Sequence, residues 1–205
     1  MERLWCLMAG YCLGSFLTAE LVSLRVAGRP CRELGSGNPG MANVMAQLGF
    51  WPGVAVLAGD AAKTLLACVL SAWLWGGALG QLAVLYAGLG AALGHDFPAW
   101  RGFHGGKSVA VTCVALMLFS PLWGTLSAVA GMLVVFSTGW LPLGAVLIPL
   151  VFVPIAFVRY GAEAGALAVV LAAVTLLLHR DGLVRVLAGE EPTHAKFFGK
   201  KKKAE

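Results

Sequence analysis

Charge is what this sequence has least of. Only 12% of its 205 residues are Asp, Glu, Lys or Arg, about half the ~25% that a soluble domain carries. With 59% hydrophobic residues and a mean hydropathy of +0.82, the chain falls outside the ordinary soluble class. Its apolar residues come in long blocks, so the bilayer is the expected solvent. The cysteines Cys6, Cys12, Cys31, Cys68 and Cys113 contain no C-x-x-C pair. That excludes zinc-ligand spacing and a disulfide framework and leaves them as small buried hydrophobes. Aromatic and basic residues do not interleave as in a strand-binding groove, which argues against a nucleic-acid partner. The internal repeats common in small-solute transporters are missing too. The N-terminal apolar block is too long for a signal peptide, and Glu20 stands where a small-residue cleavage context would be needed.

What is present is a set of seven apolar blocks, at about 4–24, 50–75, 81–97, 107–119, 125–137, 143–158 and 163–178. A span takes ~20 residues, fewer where flanking residues snorkel. The fourth and fifth blocks are short and separated by Ser120-Pro121-Leu122-Trp123-Gly124, so they read as two short spans or one interrupted span. Charge decides between these. With seven spans, Arg25, Arg29, Arg32, Arg101, Lys107, Arg180, Arg185, Lys196 and Lys200 to Lys203 share one side, twelve of the fifteen basic residues. Arg3 and Arg159 fall on the other side, and Lys63 lies within the second block. The positive-inside bias therefore predicts an all-α membrane bundle of seven helices, N-terminus out and C-terminus in. It forms one domain over 1–205 that ends in a basic cytoplasmic tail at about 192–205, suited to anionic lipid. Ala87, Gly88, Ala91 and Ala92 recur at spacings that let helices approach closely.

The polar residues gather in three places on the predicted inner face. The first is ELGSGNPGMANV, residues 33–44. Gly35, Gly37 and Gly40 have the G-x-G-x-x-G spacing of a dinucleotide-binding turn, and Asp60 follows twenty residues later. That motif needs a preceding strand and a crossover helix. Here apolar spans flank it and Asp60 lies inside the second of them. No Gly-Lys-Ser/Thr follows at P-loop spacing. What remains is a glycine-rich turn with Asn38 as a cap, or a loop whose N–H groups converge on an anion, with Ser36, Asn38 and Asn43 as added donors. The second place is GHDFPAWRGFHGGKS, residues 94–108. Gly105-Gly106-Lys107-Ser108 precedes an apolar helix whose N-terminus suits phosphate. The alternative for Lys107 is a lysine that snorkels to the interface. The third is LLLHRDGLVRVLAGEEP, residues 176–192. It sets His179 where the last span meets the cytoplasm, as a general base, a phosphate donor or an interfacial histidine. Asp60 and Lys63, three apart within a span, neutralise each other or send Lys63 towards the anion site.

Together and in this order, the three stretches resemble the bacterial acyl-phosphate-dependent glycerol-3-phosphate acyltransferases, the PlsY family. Its loops read approximately G-S-G-N-x-G-A-T-N, then G-H-x-F-P followed by G-G-K-G, then H-R-E-N and G-T-E. Here they are Gly35-Ser36-Gly37-Asn38-Pro39-Gly40-Met41-Ala42-Asn43, then Gly94-His95-Asp96-Phe97-Pro98 with Gly105-Gly106-Lys107-Ser108, then His179-Arg180-Asp181-Gly182 with Gly189-Glu190-Glu191. Tyr11 to Ser15 and Asp60 with Lys63 also look like family positions. The resemblance implies a seven-helix protein of the bacterial cell membrane with cytoplasmic active-site loops. It implies transfer of a fatty acyl group from acyl phosphate to the sn-1 hydroxyl of glycerol 3-phosphate, with lysophosphatidic acid and phosphate as products and with neither metal nor cofactor. A monomer is compatible with that reading. Implied catalytic residues are Ser36, Lys107 and His179. Implied substrate-binding residues are Gly35, Ser36, Gly37, Asn38, Gly40, Asn43, Gly105, Gly106, Lys107 and His179, with Asp60, Lys63 and Glu191 in support.

The chain departs from the family pattern at several polar positions. A family Thr is Ala42, a family Arg is Ala46 and a family Asn is Gly182. A loop resembling T-R-Y-x-S is Thr138-Gly139-Trp140-Leu141-Pro142, without its Arg and Ser. These losses raise the alternatives of an altered acceptor or a weakened or non-catalytic lipid- and phosphate-binding paralogue.

Overall fold

The computed structural model describes residues 1–193. Lys196 and Lys200 to Lys203 of the predicted basic tail lie outside the described residues. Among the described residues every regular element is a helix. The first apolar block forms α1 (Glu2–Gly14) and α2 (Thr18–Ala27), with a corner at Ser15, Phe16 and Leu17. An interrupted helix in an apolar block leaves carbonyls that lipid cannot satisfy. Two distant donors cap them here: Trp100 Nε1 donates to the Ser15 carbonyl at 2.8 Å and Lys63 Nζ to the Phe16 carbonyl at 2.7 Å. The short α3 (Met41–Leu48) leads into the long α4 (Phe50–Leu79), followed by α5 (Leu82–Asp96) and α6 (Val109–Phe119).

The fourth and fifth blocks form separate helices. Ser120 adopts extended backbone between α6 and α7 (Pro121–Thr138), and Pro121 occupies the first helical position, where no N–H is needed. Gly124 approaches the Leu116 carbonyl so closely that a Cβ would not fit. The last two blocks run through α8 (Leu141–Leu187), which breaks at Gly161 with φ 87° and ψ 178°. Only glycine takes that conformation without strain, so it divides α8 into limbs over 141–160 and 162–187. Among the described residues four stretches are long and apolar enough to cross a bilayer: Glu2–Ala27, Phe50–Leu79, Pro121–Thr138 and the 47-residue Leu141–Leu187 that holds both limbs. The 15-residue α5 and 11-residue α6 fall short of the ~20 residues of a full span.

Packing follows from small residues. A Cβ on Gly10 or Gly14 of α1 would strike the Ala87 or Ala91 carbonyl of α5. One on Gly90 or Gly94 of α5 would strike the Leu7 or Tyr11 carbonyl of α1. Lipid provides no hydrophobic force between helices, so close backbone contact of this kind supplies the association. The core lies between α5, α6 and α8, around Leu85, Leu116, Phe119, Phe152 and Leu171. Phe119 meets Phe152 and Tyr160 edge-on, at 6.1 and 4.8 Å between centroids. At one end of the bundle Arg3 grips Glu163 with two hydrogen bonds, and Tyr86 donates to the same carboxylate. The loops after α2 and α5 and the end of α8 come together at the opposite end.

Candidate active site

The loop between α2 and α3 is held from within. Asn43 is buried, and its side chain accepts from the Ser36 N–H at 3.0 Å and donates to the carbonyls of Leu34 (2.9 Å) and Asn38 (3.1 Å). The Gly37 N–H donates to Leu34 O, Gly40 N–H to Asn38 O, and Asn38 N–H to the Ser36 hydroxyl oxygen. Gly37 and Gly40 therefore do not offer free N–H groups to a ligand, because the turn that they permit satisfies those two internally. The open donors are elsewhere. The first-turn N–H groups of α3, at Met41, Ala42 and Asn43, have no acceptor among the described residues. The Ser36 hydroxyl hydrogen and the Asn38 side-chain amide are also uncommitted.

The second loop is built on the end of α5. Gly105 and Gly106 donate their N–H groups to Asp96 O and His95 O, both at 2.9 Å, so these too are occupied. Side chains at either glycine would collide with His95, and at Gly105 with Pro98 as well. The loop then presents Lys107 and bends at Ser108, a non-glycine residue at φ 39°. The Ser108 hydroxyl donates to buried Asp96 at 2.7 Å, which holds that left-handed conformation in place. Beneath lies a buried polar cluster. Asp60 and Lys63 pair at 2.9 Å, and Lys63 Nζ also lies 2.8 Å from His95 Nδ1. Lys63 thus supports the corner of the first helix and the root of this loop, and it does not line the cavity described next.

The third element is the end of α8. The His179 ring is buried, with Nδ1 2.9 Å from Thr175 O. A carbonyl can only accept, so Nδ1 carries the proton and the neutral ring keeps its lone pair at Nε2. Nε2 is buried and has no partner among the described residues. Glu191 turns back to accept from Arg185 Nε at 2.7 Å.

These three elements border one cavity of about 1200 Å³. Ser36, Gly37, Asn38, Asn43, Gly105, Lys107, His179 and Glu191 line it; Gly35, Gly40, Gly106, Asp60 and Lys63 do not. Its lining carries four cations, Arg32, Arg101, Lys107 and Arg185, against one acid, Glu191, which favours an anionic ligand. Lys107 makes no hydrogen bond or ion pair among the described residues. Burial pushes its ammonium below the ordinary 10.5, Arg185 adds to the shift, and Asp181 and Glu191 oppose it. A phosphate held by Lys107 needs the protonated amine. Affinity for a phosphate ligand should therefore weaken as pH rises through that lowered value, before 10.5 is reached. The ligand's own charge changes little above neutral pH. A titration by calorimetry that stays flat to that point would remove Lys107 from the site.

The family profile described as glycerol-3-phosphate acyltransferase matches residues 4–189. The chain belongs to this acyltransferase family. It is 32% identical over 190 residues to glycerol-3-phosphate acyltransferase 1 of Lactobacillus johnsonii, covering 93% of this chain and 91% of that one. It is 36% identical over 190 residues to the glycerol-3-phosphate acyltransferase of Shouchella clausii, covering 89% and 91%. The crystal structure of PlsY, an integral membrane glycerol 3-phosphate acyltransferase in its glycerol 3-phosphate form, matches with a TM-score of 0.83 at 27% identity, over 94% of this chain and 96% of that one. This acyltransferase is a multi-pass integral membrane protein with the PlsY fold, of the bacterial cell-membrane type.

Within the acyltransferase fold three of the departures, Ala42, Ala46 and Pro142, line the cavity together with Leu141, and Gly182 lies against Pro142, where a Cβ would come within 2.6 Å of the ring; Gly139 does not line it. Sequence reasoning took Arg32, Arg101 and Arg185 only as topology markers. The structure brings all three to the cavity. The signal that could have found Arg101 is its place between Phe97-Pro98 and Gly105-Gly106, inside a stretch already singled out.

Proposed function

We propose that this acyltransferase, acting as one domain, moves a fatty acyl group from acyl phosphate to the sn-1 hydroxyl of glycerol 3-phosphate. The observation that carries the reading is Lys107, an uncommitted cation, on the same cavity as the unpartnered Nε2 of His179. The hydroxyl oxygen bonds to the acyl carbonyl carbon while Nε2 takes its proton. The bond from that carbon to the phosphate oxygen then breaks, and phosphate leaves with the electron pair. An acyl phosphate is already activated, so positioning and charge stabilisation are the main demands. Ser36 and Asn38 supply donors for the oxyanion or the phosphate, and Lys107 balances phosphate charge. PlsY forms holding glycerol 3-phosphate and lysophosphatidic acid, a substrate and a product of this reaction, support the reading.

Purified protein given palmitoyl phosphate and radiolabelled glycerol 3-phosphate should form lysophosphatidate. Phosphate binding without that product would favour the non-catalytic paralogue. The apolar wall of Ala46, Leu141 and Pro142 favours one second reading, in which the acceptor is a phosphate ester bulkier than glycerol 3-phosphate; parallel assays with other phosphorylated polyols separate the two.

The three polar stretches face the cytoplasm in this proposal, with the N-terminus outside. Single cysteines at Arg29→Cys and Arg180→Cys, in a background without native cysteines, should label from the same side in oriented vesicles, and Arg159→Cys from the other. Opposite labelling of the first two would overturn the topology.

A further inference from the structure

Six buried side-chain atoms have no hydrogen-bond partner among the described residues: Ser23 Oγ, Ser71 Oγ, Asp96 Oδ1, Arg101 Nη1, Thr112 Oγ1 and His179 Nε2. Only His179 and Arg101 among them line the cavity. His179 has a role in the reaction above. Arg101 has none, yet it is the more costly of the two to leave incomplete, because a buried guanidinium N–H without an acceptor loses hydration with nothing in return.

Arg101 is also the best oriented cation of the four. Its Nη2 pairs with Glu20 Oε1 at 2.7 Å, and both side chains are nearly buried, 13% and 14% exposed. The other oxygen of Glu20 accepts the backbone N–H of Cys31. The Cys31 thiol in turn contacts Asn38 O at 3.5 Å and Asn43 Nδ2 at 3.6 Å. One carboxylate therefore fixes Arg101 and the turn that leads into the Ser36–Asn38 loop. Of the remaining cavity cations, Arg185 has its Nε engaged by Glu191, Arg32 is solvent-exposed and Lys107 is a point charge. The lining residues Ala42, Ala46, Leu141 and Pro142 offer no side-chain donor. A planar guanidinium held at Nη2 and still without an acceptor at Nη1 suits the oxygens of a phosphate group.

We infer that Arg101, oriented by Glu20, is a phosphate-binding residue of the cavity, a second cationic contact beside Lys107. The inference rests on the proposed acyltransfer reading, in which both substrates bring a phosphate. Glu20 is then a positioning residue that acts through Arg101.

The test starts with equilibrium binding of inorganic phosphate to the purified full chain, which does not depend on turnover. Arg101→Gln should weaken it by about tenfold or more, the range of a charge-assisted hydrogen bond. Arg101→Lys, which keeps the charge and the pair with Glu20 but loses the fork, should fall between that variant and the parent. Steady-state kinetics then assign the source. A raised KM for glycerol 3-phosphate alone places Arg101 on the acceptor, and a raised KM for palmitoyl phosphate alone places it on the donor; kcat changes little in either case. Should Arg101→Gln fail to fold, Arg101→Lys decides through the same phosphate titration. Unchanged phosphate affinity in the folded variants overturns the inference. If the parent forms lysophosphatidate and the variants bind phosphate like it, only this inference falls. If phosphate binding depends on Arg101 but no lysophosphatidate forms, only the acyltransfer reading falls.

Discussion

His179→Asn should keep the fold and lose the reaction. The asparagine amide can stand where Nδ1 stands and donate to the Thr175 carbonyl, so the buried end of α8 keeps its hydrogen bond. What it lacks is the unpartnered Nε2, and with it the lone pair that accepts the hydroxyl proton. General-base assistance contributes about 10²- to 10⁴-fold, and the loss should appear in kcat with thermal stability and glycerol 3-phosphate KM little changed. Stopped-time assays of lysophosphatidate with purified variant check it. A kcat within a few fold of the parent would make His179 an interfacial histidine and leave the departing phosphate to take the proton.

Lys107→Met should produce the second large effect, of a different kind. Methionine retains the apolar stem, so the packing of the half-buried chain is preserved while the charge is lost. Hydrogen bonds to a charged group contribute about 1.5–3 kcal/mol, a factor of tenfold to a hundredfold or more. Since phosphate charge grows at the leaving group, the loss should fall on kcat/KM and weaken glycerol 3-phosphate or palmitoyl phosphate binding as well. Unchanged kcat/KM would return Lys107 to the role of a lysine that snorkels from the α6 end to the interface.

Hydropathy made the helices legible. All seven apolar blocks are helical, and the separation at Ser120-Pro121 is marked locally by a proline that starts α7. The corner at Ser15–Leu17 was not legible, because nothing in those residues breaks a helix. It depends on Trp100 and Lys63, which cap its carbonyls from 85 and 47 residues away. The pairing of Asp60 with Lys63 followed from their spacing, whereas the reach of Lys63 to the Phe16 carbonyl and His95 is tertiary. At the cavity, the motifs located the loops but not which atoms stay free. Three glycines suggested open N–H groups, yet the loop's own carbonyls take those of Gly37 and Gly40, and Asn43 takes that of Ser36. Arg101 read as one more positive charge because its role is defined by Glu20, an acid 81 residues earlier that local pattern cannot pair with it.

The proposed reaction is a direct transfer, in which the acyl group goes from phosphate to glycerol 3-phosphate within this cavity without resting on the protein. Ser36 is an exposed hydroxyl on this cavity whose oxygen already accepts from the Asn38 N–H, and its proposed part is that of a donor. Intact-mass spectrometry of the purified chain tests this, first with palmitoyl phosphate alone and then after glycerol 3-phosphate is added. Direct transfer leaves an unmodified chain in the first sample and gives lysophosphatidate only in the second. A stable acyl adduct on Ser36 that passes to glycerol 3-phosphate would contradict it.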